Sequence, residues 1–128
     1  MREAISTDGA PAAAGPYSQA IRAGDLVFTA GQLGLDPATG EFATDDVAGQ
    51  ADRALANLAA ILEAAGSGLD RLVKVTVYLA DIGDWPAVNE VYARMIPEPF
   101  PARSAFAVKD LPKGARIEIE AVASVGAG

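Results

Sequence analysis

Between positions 46 and 65, apolar residues recur at Val47, Ala51, Ala54, Leu55, Leu58, Ile61, Leu62 and Ala65. That is the three-, four- and seven-residue spacing of a buried helical stripe. Thr44 or Asp45 is placed to cap its start, acids stand in its first turn, and Gly66 offers a left-handed stop. A second helix is predicted over 84–96, with Asp84 as cap, Pro86 in the first turn, and Val88, Val91, Tyr92 and Met95 along one face. Pro97 ends it, because proline lacks the ladder donor and restricts the residue before it.

Elsewhere the period falls to two. Over 72–79, Val73, Val75, Val77 and Leu79 share one face and Lys74, Thr76 and Tyr78 the other. Runs at 26–31, 103–108 and 115–124 also read as strands. The segment 20–22 pairs with the first of these across Ala23-Gly24-Asp25, and Leu111-Pro112-Lys113-Gly114 turns the chain between the last two. The order β-β-α-β-α-β-β predicts one α+β domain over 1–128, a single mixed β-sheet with two helices packed on one face. Right-handed crossovers place both helices on that face. The other face keeps Phe28 or Phe106, together with Tyr78, uncovered. A small domain buries such a face against copies of itself, so a homo-oligomer joined sheet to sheet, with clefts between subunits, is expected.

Composition narrows the chemistry. Ten Lys and Arg against seventeen Asp and Glu leave a net charge of −7, the wrong sign for nucleic acid or an anionic membrane surface. The absence of Cys excludes disulfides, zinc fingers, iron–sulfur ligation and thiol nucleophiles. The absence of His removes the usual general base near neutral pH and the commonest transition-metal ligand. Catalysis would fall to carboxylates, Tyr, Arg, Lys, hydroxyls or the backbone. Residues 1–14 do not read as a secretory signal and no stretch reads as a membrane span, so a cytoplasmic location is expected. Gly31-Gln32-Leu33-Gly34 lacks the Lys of a phosphate loop, and the acids are not spaced as a calcium loop. A metal site is therefore not expected.

Three places carry candidate chemistry. Gly15-Pro16-Tyr17-Ser18-Gln19 is a rigid turn holding a phenol before the first strand, either as a hydrogen-bond donor at a cleft or as a partly buried aromatic. In Ile96-Pro97-Glu98-Pro99-Phe100-Pro101-Ala102-Arg103-Ser104, alternating prolines make a stiff, extended arm that delivers Arg103 to a strand start. A guanidinium there suits bidentate capture of a small carboxylate, or else pairs with an acid of its own fold. In Arg116-Ile117-Glu118-Ile119-Glu120-Ala121-Val122 the two glutamates share one strand face. They are either solvated at an edge or, if one is partly desolvated, usable as a base near neutral pH. Gly31, at a strand end, either lets a ligand approach the backbone or marks a bend.

With these residues in view the chain resembles the RidA/YjgF family of enamine and imine deaminases over nearly its whole length. The resemblance rests on Gly15-Pro16-Tyr17-Ser18-Gln19-Ala20, Phe28-Thr29-Ala30-Gly31-Gln32, Asn57-Leu58 and Val73-Lys74-Val75-Thr76-Val77-Tyr78-Leu79. It continues through Asn89-Glu90-Val91-Tyr92, Pro101-Ala102-Arg103-Ser104, Leu111-Pro112-Lys113-Gly114 and Ile117-Glu118-Ile119-Glu120-Ala121. It implies a homotrimer of chorismate-mutase-like subunits with active sites at the interfaces. The implied reaction is hydrolysis of 2-imino acids such as 2-iminobutanoate and 2-iminopropanoate, released by pyridoxal-phosphate-dependent dehydratases, to 2-oxo acids and ammonia, a reaction that needs neither a metal nor an organic cofactor. By the same resemblance Arg103 binds the substrate carboxylate, Glu118 positions or activates water, and Tyr17, Gly31 and Asn89 complete the site. Family members often carry Ser before the Gly-Gln pair and Cys two residues after the Arg, where this chain has Ala30 and Ala105. A Ser hydroxyl is therefore not available, although the Ala105 amide still is. Two other readings remain at this stage: a carboxylate-binding or regulatory trimer without turnover, and the ribonuclease or translation-inhibitor activity attributed to some relatives. Charge and the lack of His weigh against the last.

Overall fold

The computed structural model describes residues 1–126. Its elements are β1 (Arg2–Ile5), β2 (Ala20–Ala23), β3 (Leu26–Thr29), α1 (Val47–Ala64), β4 (Leu72–Leu79), α2 (Trp85–Met95), β5 (Ala102–Ala107) and β6 (Ile117–Ser124). The strands form one sheet in the order β1-β2-β3-β6-β4-β5. β4 and β5 pair in parallel, and the other four pairings are antiparallel. The α+β architecture is therefore as the hydrophobic pattern indicated.

β3 and β4 both run antiparallel to β6, so each helix links two strands pointing the same way. Both helices lie on one face. Leu55 and Leu58 of α1 and Val88 and Val91 of α2 share a core with Val75, Val77, Leu79, Ile117 and Ile119 of the sheet. The end of α1 covers the hairpin strands, where Ile61 and Leu62 meet Ile5, Ala20, Val27 and Ala123. Leu55, Leu58, Ile61 and Leu62 are at most 1% exposed, each contributing about 1.5–3 kcal/mol relative to an exposed side chain.

Several local expectations are corrected. The cap of α1 is Asp46, not Thr44 or Asp45. Its carboxylate accepts from the Gly49 N–H at 3.0 Å, and the first turn holds no acid because Asp46 lies just outside it. Gly66 does take the left-handed conformation, at φ 83. Asp84 makes no side-chain cap bond. The chain already turns helically over Ile82–Asp84, and Asp81 caps that turn by accepting from the Gly83 N–H at 2.8 Å. Strand β1 was not anticipated. Val73 does not join Val75 and Val77: a bulge between Leu72 and Lys74 inserts it as an extra residue, turning Leu72 inward and leaving Val73 47% exposed. The proline arm bends at Glu98 and Pro99, because the chain must return from the end of α2 to the start of β5.

The face away from the helices is bare, with Leu26, Phe28 and Phe106 exposed on it. Tyr78 packs edge-on against Phe106, ring centroids 5.4 Å apart. Among the described residues, no helix is long and apolar enough to cross a membrane.

Candidate active site in two halves

Strand register decides where the candidate side chains go. Arg103 pairs with Val75, a core residue on the helix face. Glu118 pairs with Tyr78, three residues further along β4 and therefore on the opposite, bare face. A single chain thus presents its guanidinium on one side of the sheet and its carboxylate on the other.

The acid half is built around Gly31. An isolated backbone bridge joins Gln32 to Ile119, with N–H···O distances of 2.8 and 3.0 Å, and brings Gly31 against Glu118. A Cβ at position 31 would stand 2.0 Å from Oε2 of Glu118 and 2.7 Å from its Cδ. Absence of a side chain at Gly31 is what gives the carboxylate its place. Burial, and then the charge of Glu120 two residues on, raise the Glu118 pKa above its ordinary 4.5. Tyr17 and Gly31 line the same cavity of about 790 Å³ as Glu118. The Tyr17 hydroxyl oxygen accepts from the Ala14 N–H at 3.3 Å, which leaves its proton free to donate.

Three buried amides hold this half in shape. The Gln19 side chain, 3% exposed, accepts from the Thr7 N–H at 2.7 Å and donates to the carbonyls of Thr7, Ala10 and Pro11 at 2.8–3.3 Å, pinning the loop ahead of Tyr17. Asn57 on α1 is fully buried. It donates to the Leu33 and Leu35 carbonyls at 3.1 and 2.9 Å and accepts from the Arg53 guanidinium. Gln50 donates to the Thr44 carbonyl at 3.2 Å and accepts from the Arg116 N–H at 2.9 Å, tying α1 to the start of β6. Gly34 fits only because it lacks a side chain, since a Cβ would lie 2.6 Å from the Gln50 backbone.

Arg103 and Asn89 make the cationic half. The Arg103 Nη1 donates to the Asn89 Oδ1 at 2.9 Å, and both residues line a second cavity of about 470 Å³ with Tyr92, Phe100 and Pro101. Among the described residues the one ion pair joins Arg94 to Asp52, so Arg103 has no acid of its own fold. Ala105 follows on the same face of β5, half-buried beside Val77. Ala30 lines the acid cavity and offers no hydroxyl. Glu120 is half-buried next to Thr76 on β4. Lys113, read only as part of a turn, lines the acid cavity in a left-handed conformation with φ 59. The bracing roles of Gln19 and Asn57 were also missed, since a buried amide carries no sequence signature of its own.

Known proteins resemble this chain closely in sequence and fold. Residues 7–125 match the family described as Endoribonuclease L-PSP. The RutC family protein y4sK of Sinorhizobium fredii is 54% identical over 98% of this chain and 99% of its own length. The 2-iminobutanoate/2-iminopropanoate deaminase of Bos taurus is 50% identical over 98% of this chain and 92% of its own. The crystal structure of RidA from the Antarctic bacterium Psychrobacter sp. superposes with a TM-score of 0.93 at 45% identity, covering 96% of this chain and 99% of that one.

Proposed function

The chain belongs to the YjgF/RidA family, also described as Endoribonuclease L-PSP, and from that premise we propose that it hydrolyses reactive 2-imino acids, with their enamine tautomers, to 2-oxo acids and ammonia. The substrates are small species of the 2-iminobutanoate and 2-iminopropanoate kind, as pyridoxal-phosphate-dependent dehydratases release them. The observation that carries the reading is the division of the site. An Arg with no acid partner among the described residues and a Glu of raised pKa lie on opposite sheet faces, each lining an open cavity. They become one site when the edge strand β5 of one subunit, carrying the cationic half, reaches the acid half on the bare sheet face of another, as in a homotrimer.

The mechanism follows from the groups available. A protonated imine is already electrophilic at carbon, so orientation and one proton relay are sufficient. Arg103 retains four of its five N–H donors after bonding Asn89, two of which suffice for a bidentate carboxylate. Glu118 takes a proton from water as the oxygen attacks the imine carbon, giving a carbinolamine. The same proton then passes to nitrogen, and Glu118, again a carboxylate, takes the remaining hydroxyl proton as the C–N bond breaks and the carbonyl forms; ammonia leaves and carries that proton off as ammonium. A raised pKa suits a group that must accept the proton and return it. Tyr17 donates to the water or to the departing nitrogen.

Ribonuclease activity is the weaker reading. A net charge of −7, no His and a carboxylate in the cavity oppose phosphate binding. The test is a coupled assay in which a threonine dehydratase generates 2-iminobutanoate. The wild-type protein accelerates 2-oxobutanoate release and Arg103→Ala removes that gain. Equal acceleration by the variant would refute the assignment.

A further inference from the structure

Arg103 sits on an edge strand, where a long cationic side chain would ordinarily sample many rotamers. Here one face of α2 is turned toward it. Trp85, Asn89 and Tyr92 follow the i, i+4, i+7 spacing of a single helical stripe. The Arg103 Cζ lies 4.5 Å from the Trp85 ring centroid and 4.8 Å from that of Tyr92, while Asn89 accepts from Nη1 at 2.9 Å.

The choice of neighbours matters chemically. An acid in their place would neutralise the guanidinium and occupy its donors. Two aromatic rings attract the cation through their faces, consume no N–H and leave the charge intact. We propose that Trp85 and Tyr92 are positioning residues that preset the Arg103 fork for an incoming carboxylate. The proposal rests on the reading that Arg103 binds the substrate carboxylate, and it adds residues that touch no reacting atom.

Tyr92 carries a supporting detail. It is 3% exposed and its hydroxyl makes no hydrogen bond of good geometry among the described residues, while the neighbouring Arg103 guanidinium offsets part of the rise in its pKa that burial causes. What it does supply is a ring beneath Arg103 at the wall of the 470 Å³ cavity. Asn89 alone, an exposed amide making one bond, would not fix the plane of the fork.

The test compares Trp85→Leu, which keeps apolar bulk without a π face, with Trp85→Phe, which keeps the face. Loss of a partly desolvated cation–π contact is expected to raise KM for 2-iminobutanoate about three- to thirtyfold in Trp85→Leu, with kcat within about twofold. Trp85→Phe returns KM to within about threefold of wild type. Unchanged KM in Trp85→Leu, equal impairment of the two variants, or a loss confined to kcat would overturn the proposal.

The Kd of the product analogue 2-oxobutanoate, measured calorimetrically on the same proteins, separates the two readings. Turnover without the Leu/Phe contrast leaves the function standing and removes the clamp. A Kd contrast without turnover does the reverse. The wild-type protein supplies a readout independent of variant folding, because Trp85 is its one tryptophan. Its emission should change on titration with 2-oxobutanoate with the calorimetric Kd, and calorimetric binding with no change in emission would contradict the clamp.

Discussion

Replacing Gly31 with alanine should cripple the acid half without unfolding the protein. The added Cβ would stand 2.0 Å from Oε2, 2.7 Å from Cδ and 2.9 Å from Cγ of Glu118. Ordinary van der Waals contact begins near 3.4 Å, so the carboxylate must retreat by roughly 1.4 Å. Retreat is available, because the obstructing group is the far end of a flexible side chain. Displacing a reacting group by about 1 Å costs on the order of a hundredfold in rate, so kcat/KM should fall by about two orders of magnitude. Stability should barely change: the alanine restricts the unfolded chain by about 0.4–1 kcal/mol, offsetting strain in the new Glu118 rotamer. The assay is imine hydrolysis alongside thermal melting. The decisive comparison is Gly31→Ala combined with Glu118→Gln. If position 31 acts only through Glu118, the double variant is no slower than Glu118→Gln alone. Multiplying losses, or wild-type activity in Gly31→Ala, would refute the reasoning.

Other outcomes follow from the same geometry. Folding favours the protonated form of Glu118, so the general base is lost as pH falls through a value above 4.5, and the acid limb of kcat/KM lies above that of an ordinary glutamate. Glu120→Gln should move this limb to lower pH but not abolish the elevation, since burial is the larger cause; a limb moving upward would contradict this. Because the charged form of Glu118 is the one disfavoured by folding, Glu118→Gln should raise Tm at neutral pH while removing turnover, and a lower Tm in calorimetry would count against the assignment. Asn57→Ala strands the Leu33 and Leu35 carbonyls and should cost about 2–5 kcal/mol in denaturant unfolding. A loss below about 0.5 kcal/mol would show that Asn57 does not brace the loop.

How far these features could be read in advance depends on the distance over which they are encoded. The stripe on α1 is local and strong, so its position was legible to within a residue or so. Strand β1 was not, because Arg2, Glu3 and Ala4 are exposed and only Ile5 is buried. The bulge at Val73 breaks an alternation that looks unbroken in sequence, since its cause lies in pairing with β6. Tyr17, Arg103 and Glu118 were legible as candidate residue types in constrained segments, and Arg103 and Glu118 more so through family resemblance. Their separation onto opposite faces was not, because it requires the registers of β4 with both β5 and β6. The fit between Gly31 and Glu118 joins residues far apart in the chain and leaves no pattern in either segment.

Subunit mixing tests the shared site most directly. Arg103→Ala and Glu118→Gln are each expected to be inactive alone. Unfolded together at equal amounts and refolded, they generate interfaces in which an intact Arg103 from one chain faces an intact Glu118 from another. Random assembly makes about a quarter of the sites whole, so activity should recover to about a quarter of wild type. No recovery from mixed oligomers whose formation is verified by mass would contradict a site completed between chains.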